Sequence, residues 1–180
     1  LREVIIAELT PQDRAHPGLP DIAACAIGDG VVVIFPNQGN RVFGAPVAIQ
    51  SWPYARNLAA GDFDGDGIPD LGVLSRYGDR PATFGPEYAN PLDCPGALYE
   101  TAAVLVFRGQ ASGLPAAQPS FVYYGPQPGR VAEKLAGAFD ANGDGRDDLL
   151  LGGPYWYRPG VDYTGGVALV LGRPAPPSGI

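Results

Sequence analysis

Two nine-residue stretches of this chain place an oxygen-bearing side chain at alternate positions, with glycines between them. The first is Asp62-Phe63-Asp64-Gly65-Asp66-Gly67-Ile68-Pro69-Asp70 and the second is Asp140-Ala141-Asn142-Gly143-Asp144-Gly145-Arg146-Asp147-Asp148. Acidic groups this close repel one another unless a cation sits among them. Positions 1, 3, 5 and 9 carry side-chain oxygens (Asp62, Asp64, Asp66 and Asp70; Asp140, Asn142, Asp144 and Asp148). Position 7, Ile68 or Arg146, offers a backbone carbonyl. That set suits a hard, oxygen-seeking cation, and Ca²⁺ above all. Gly67 and Gly145 at position 6 permit the sharp turn such a loop needs. Asp and Gly also dominate metal-free turns, but two copies in one ligand register favour the cation.

The flanks decide which kind of loop this is. An EF-hand closes with a bidentate Glu at position 12 and lies between helices. Here position 12 is Val73 or Leu151, and neither binds a cation. The residues that follow, Leu71–Leu74 and Leu149–Gly152, are short apolar runs that suit buried strands. Those that precede, 55–60 and 131–138, also fit strands. The motif is strand, loop, strand.

Aligning the chain on the loops exposes an internal repeat. Gly67-Ile68-Pro69-Asp70-Leu71 recurs as Gly18-Leu19-Pro20-Asp21-Ile22. Upstream of that copy Glu8, Asp13 and Asp21 persist as a degenerate metal set. An insertion with Pro11, His16 and Pro17 breaks the alternation, so a turn that keeps its shape without metal is expected there. Further strands are expected over 31–35, 103–107 and 166–171, and fourth strands around 41–49 and 121–124. The repeating unit is four short antiparallel strands with the loop between the first two. The closing aspartates are 49 and 78 residues apart, and the excess is an insertion over 76–96.

These residues resemble a known family. The pattern ending Asp-Gly-Arg-Asp-Asp-Leu, followed by Gly152-Gly153-Pro154 and by Gly165-Gly166-Val167-Ala168-Leu169-Val170-Leu171-Gly172, is similar to the FG-GAP repeat of integrin α-subunit β-propellers. Residues 106–114 and 21–75 resemble the VCBS-like variants of large bacterial surface proteins. The resemblance implies an all-β chain of four-stranded propeller blades, with calcium in the strand 1–2 loops and a binding role. Blade units are expected over about 1–50, 51–125 and 126–172, with a Pro-rich tail over 173–180. Propellers typically need four to eight blades, so three units imply further blades from the same or another chain.

Composition agrees. Gly (26) and Pro (20) make about a quarter of 180 residues, yet 46% are hydrophobic, which fits a turn-rich packed β fold better than disorder. A net charge of −7 argues against nucleic acid as partner. Eight of the 19 acidic residues lie in the two loops, so the metal explains much of that charge. No run approaches the ~18 apolar residues of a membrane span. The millimolar calcium that such modules need points to a secreted or cell-surface protein. Cys25 and Cys94 either form a disulfide pinning the insertion or remain separate thiols.

In a four-stranded blade the 1–2 and 3–4 connections share one edge, and the 2–3 loops and blade connections share the other. Trp52, Tyr54, Tyr155, Trp156, Tyr157, Arg158 and Tyr163 fall on this second edge. Such aromatics suit a protein or glycan ligand, although single rings can instead pack between blades. Enzyme chemistry is not expected: the chain has one histidine, His16, and no nucleophile elbow, zinc motif or phosphate loop. The expected function is calcium-stabilised adhesion or assembly. A lectin-like module and a non-catalytic part of a larger secreted hydrolase are the alternatives.

Overall fold

A computed structural model describes residues 2–10, 18–25, 30–52, 54–75, 102–111, 113–124, 132–154 and 165–174. Eleven strands are present among them, in three antiparallel sheets, and no helix. The first sheet is β1 (Glu3–Ala7), β2 (Asp21–Cys25), β3 (Val31–Phe35) and β4 (Val47–Gln50), paired in that order. The second is β5 (Ala55–Gly61), β6 (Asp70–Ser75), β7 (Ala103–Phe107) and β8 (Phe121–Tyr124). The third is β9 (Lys134–Phe139), β10 (Asp148–Gly153) and β11 (Gly166–Val170). Each sheet is a meander in which strands consecutive in the chain pair as antiparallel neighbours.

The four-strand unit expected from the repeat is observed in the first two sheets, and three of its strands in the third, with two shifts. The fourth strand of the first sheet is shorter than expected, because Asn40 and Arg41 take left-handed φ values of 51° and 65°. There the chain forms a tight turn closed by hydrogen bonds between Gln38 and Val42 and between Val42 and Gly39. The third sheet begins at Lys134 rather than at 131.

The sheets stack, with β5 packed on β1 and β2 on one side and on β9 on the other. Burial follows from that stacking. Every residue of β6 and β7 is buried, because the second sheet is covered on both faces. In the first sheet burial alternates, with Ala23, Cys25, Val32, Ile34 and Ile49 turned to the second sheet. One core cluster lies between the first and second sheets and includes Leu9, Leu58, Leu71 and Leu105. Another lies between the second and third and includes Phe63, Leu74, Phe121, Leu149 and Leu151.

The outward faces of the end sheets are also apolar. Val4 and Ile6 are 46% and 70% exposed on the first, and Val167 and Leu169 are 67% and 47% exposed on the third. Among the described residues, no helix is long and apolar enough to cross a membrane.

Candidate metal centre

In each intact loop the position-1 aspartate organises the backbone. Asp62 Oδ1 accepts the N–H groups of Gly65 (2.8 Å) and Asp66 (3.0 Å), and its Oδ2 accepts that of Gly67 (2.8 Å). Asp140 accepts the corresponding bonds from Gly143, Asp144 and Gly145 at 2.7, 3.2 and 2.8 Å. Gly67 and Gly145 both sit at φ 83°, a region costly for other residues. The inner residues follow suit. Asp64 and Asn142 each accept the N–H of position 5, and Asp66 and Asp144 that of position 7. Two sequences that differ at four of nine positions thus fold to one geometry.

In the first loop Asp62, Asp64 and Asp70 each bring a carboxylate oxygen within 4.8 Å of the others. The Asp64 side chain is 1% exposed, and its Oδ2 is buried without a hydrogen-bond donor of good geometry. Arg108 Nε approaches that oxygen to 2.6 Å as an ion pair, without the alignment of a hydrogen bond. Converging, partly unsatisfied oxygens fit a hard dication, which would offset their mutual repulsion.

The electrostatics agree. Burial, with a smaller push from Asp66, raises the Asp64 carboxyl against the pull of Arg108. Burial raises Asp70 to about 7, opposed mainly by the N–H of Gly109. In the second loop Asp140 is held below the usual carboxylate range by the N–H of Gly145 and its neighbours. Asp144 is held low by the side-chain amide of Asn142, then by Arg146.

The position-9 aspartates have a second task, not legible from ligand spacing. Asp70 is fully buried at the start of β6; its Oδ2 accepts the N–H of Phe63 (3.0 Å) and its Oδ1 that of Gly109 (2.7 Å), just after β7. Asp148 does the same with Ala141 (2.8 Å) and Gly172 (2.8 Å). Asp21 does it with Leu9 (2.9 Å) and Asn37 (2.8 Å). Each closing carboxylate ties loop position 2 to the end of the third strand. The approach at that end is close: a Cβ on Gly109 would lie 2.4 Å from the Pro69 carbonyl oxygen, and one on Gly172 would lie 2.5 Å from that of Asp147.

In the degenerate first copy Asp21 Oδ2 also accepts the N–H and hydroxyl of Thr10, both at 2.8 Å, and Glu8 accepts the N–H of Gly18 at 3.1 Å. These carboxylates already have donors within the chain. Asp13 and His16 lie outside the described residues.

Asp147, at position 8, joins the two intact loops. Its Oδ2 accepts the N–H of Asp62 (2.8 Å), and its own N–H donates to the Asp62 carbonyl (2.8 Å). Position 2 fills the core. Leu9 is fully buried in the first cluster and Phe63 is 2% exposed in the second, whereas Ala141 is exposed.

The aromatic edge divides. Trp52 is 6% exposed and packs in the core between the first and second sheets, so its ring is not available to a ligand. Its apolar area is better buried in that seam than held in water. Tyr54 is 43% exposed. Tyr155, Trp156, Tyr157, Arg158 and Tyr163 lie outside the described residues, as does Cys94. Cys25 is buried, and that burial raises its thiol pKa above the usual value.

Sequence comparison agrees with this geometry. A family described as FG-GAP-like repeat matches residues 18–73, from the end of the degenerate copy through the 62–70 loop into β6. A family described as FG-GAP repeat matches residues 131–170, which hold β9, the loop and β11. No curated protein matches the chain. With one repeat profile on each of its intact loops and a sheet built around every copy, this is an all-β chain of FG-GAP repeats.

Proposed function

We propose that this chain is a calcium-stabilised propeller segment, of a kind found in bacterial surface proteins, that mediates protein binding, adhesion or assembly outside the cell. The observation that carries the metal is the convergence of Asp62, Asp64 and Asp70 within 4.8 Å, in a loop whose backbone course the second loop repeats. Asp66 and the Ile68 carbonyl would complete the first set. Asp140, Asn142, Asp144, Asp148 and the Arg146 carbonyl would form the second. The ion supplies charge compensation for the clustered carboxylates. The chain's own residues fix the loop between the first two strands of each blade. A binding role, rather than catalysis, suits the FG-GAP repeat.

The apolar outward faces of the end sheets support units over 1–50, 51–125 and 126–172 as blades with further neighbours. Exposed apolar patches of this kind mark interaction surfaces. Further blades, from this chain or another, are the occupants that fit.

Calcium at 100-fold excess over Kd stabilises the folded state by about 2.7 kcal/mol per site, or about 5–10 °C in a chain of this size. Asp64→Ala and Asp144→Ala are each expected to remove one site's share of that rise, read by melting with calcium and with EDTA. Equal melting of the wild type in both would sink the metal reading. Tyr54, exposed on the edge away from the loops, leaves a glycan as the second ligand class. A glycan array probed with and without EDTA separates it from a protein ligand.

A further inference from the structure

The two intact loops differ in how the chain itself neutralises them. In the first, Arg108 follows directly on β7 and reaches across to two loop carboxylates. Its Nε lies 2.6 Å from Asp64 Oδ2 and its Nη2 lies 2.8 Å from Asp66 Oδ2. It therefore touches positions 3 and 5, and the position-3 oxygen that it touches is buried. Despite the cost of burial, Asp64 and Asp66 hold its guanidinium more basic than usual.

In the second loop the residue in the same place is Leu171, since Gly172 and Gly109 bond their closing aspartates alike. The arginine there is Arg146, within the loop at position 7, where the first loop has Ile68. It meets Asp144 alone, at 2.9 Å, and position 3 is the neutral Asn142. Each loop has one guanidinium, but only the first has it against the position-3 and position-5 carboxylates together.

We propose that Arg108 is an internal counter-ion that competes with calcium for the first loop and lowers that loop's affinity. This rests on the calcium reading above. The sign follows from charge alone. The guanidinium stabilises Asp64 and Asp66 without metal and repels a dication placed among them, so both effects weaken binding. Arg108 is about 40% exposed at its side chain, so water screens part of the interaction. An effect of about tenfold on Kd is appropriate for such a partly screened charge.

The test is calcium titration calorimetry on the EDTA-stripped chain, with melting in EDTA as a check on folding. The wild type is expected to bind calcium at both loops. Asp144→Ala should abolish the second loop's site and so isolate the heat of the first. Arg108→Gln should tighten the first loop's site about tenfold and leave the second's unchanged. In EDTA that variant should melt at or below the wild-type temperature, since it loses the ion pairs. Calcium heat with no tightening in Arg108→Gln would overturn the competition and leave the calcium reading standing. No calcium heat from any variant would overturn both.

Discussion

Phe63→Ala is expected to destabilise the chain by about 3–5 kcal/mol, the usual cost of emptying a buried phenylalanine site. The residue sits between two ligand positions of the first loop, yet its ring is 2% exposed and lies in the seam between the second and third sheets. The seam is shaped for it. A Cβ added at Gly61, Gly72 or Gly137 would come within 3.0, 3.5 and 3.0 Å of the ring. Gly137 lies in a bulge of β9, where Gly137 and Ala138 together oppose Leu149 of β10. The loop thus fixes the ring's position, and the ring fixes the next sheet. Urea unfolding measures the loss, and a change below about 1 kcal/mol would show that Phe63 does not hold the seam. Gly137→Ala supplies the cross-check. Alone it should cost about 1–3 kcal/mol by overpacking; combined with Phe63→Ala it should cost less, because the added methyl then meets a void.

How far the sequence discloses this is a matter of range. Alternation of oxygens and glycines is local, so the loops, their position-1 turns and the strands on either side are legible at once. The antiparallel order follows from the repetition of the same strand, loop, strand unit. What is not legible is contact between units. The sequence presents Phe63, Leu9 and Ala141 as spacers between ligands, and only stacking shows two of them as core. Asp147 reads as surplus acidity, because the N–H that it accepts lies 85 residues away on Asp62. Arg108 reads as the end of a strand, because its charge meets the loop only when β7 lies beside β6. Trp52 misleads for the same reason: a tryptophan in a connection reads as a ligand platform until a neighbouring sheet covers it.

The other large effect is expected at Asp21, in the copy whose metal set is broken. Asp21→Ala should cost about 2–4 kcal/mol, because it strands the N–H groups of Leu9, Thr10 and Asn37 in a region where Leu9 and Asp21 are fully buried. The loss should be the same in calcium and in EDTA. That equality separates the two tasks of the closing aspartate. In the second and third units Asp70 and Asp148 would both tie the blade and face the ion, so removing either confounds tie and ligand. In the first unit the Thr10 hydroxyl joins the backbone donors on Asp21, and the tie stands by itself. A calcium-independent loss would mean that the carboxylate at the head of the second strand holds the blade first and that metal binding is added to it. A loss seen only in calcium would mean that the degenerate loop closed by Asp21 carries a cation, and the tie would then be a consequence of metal binding.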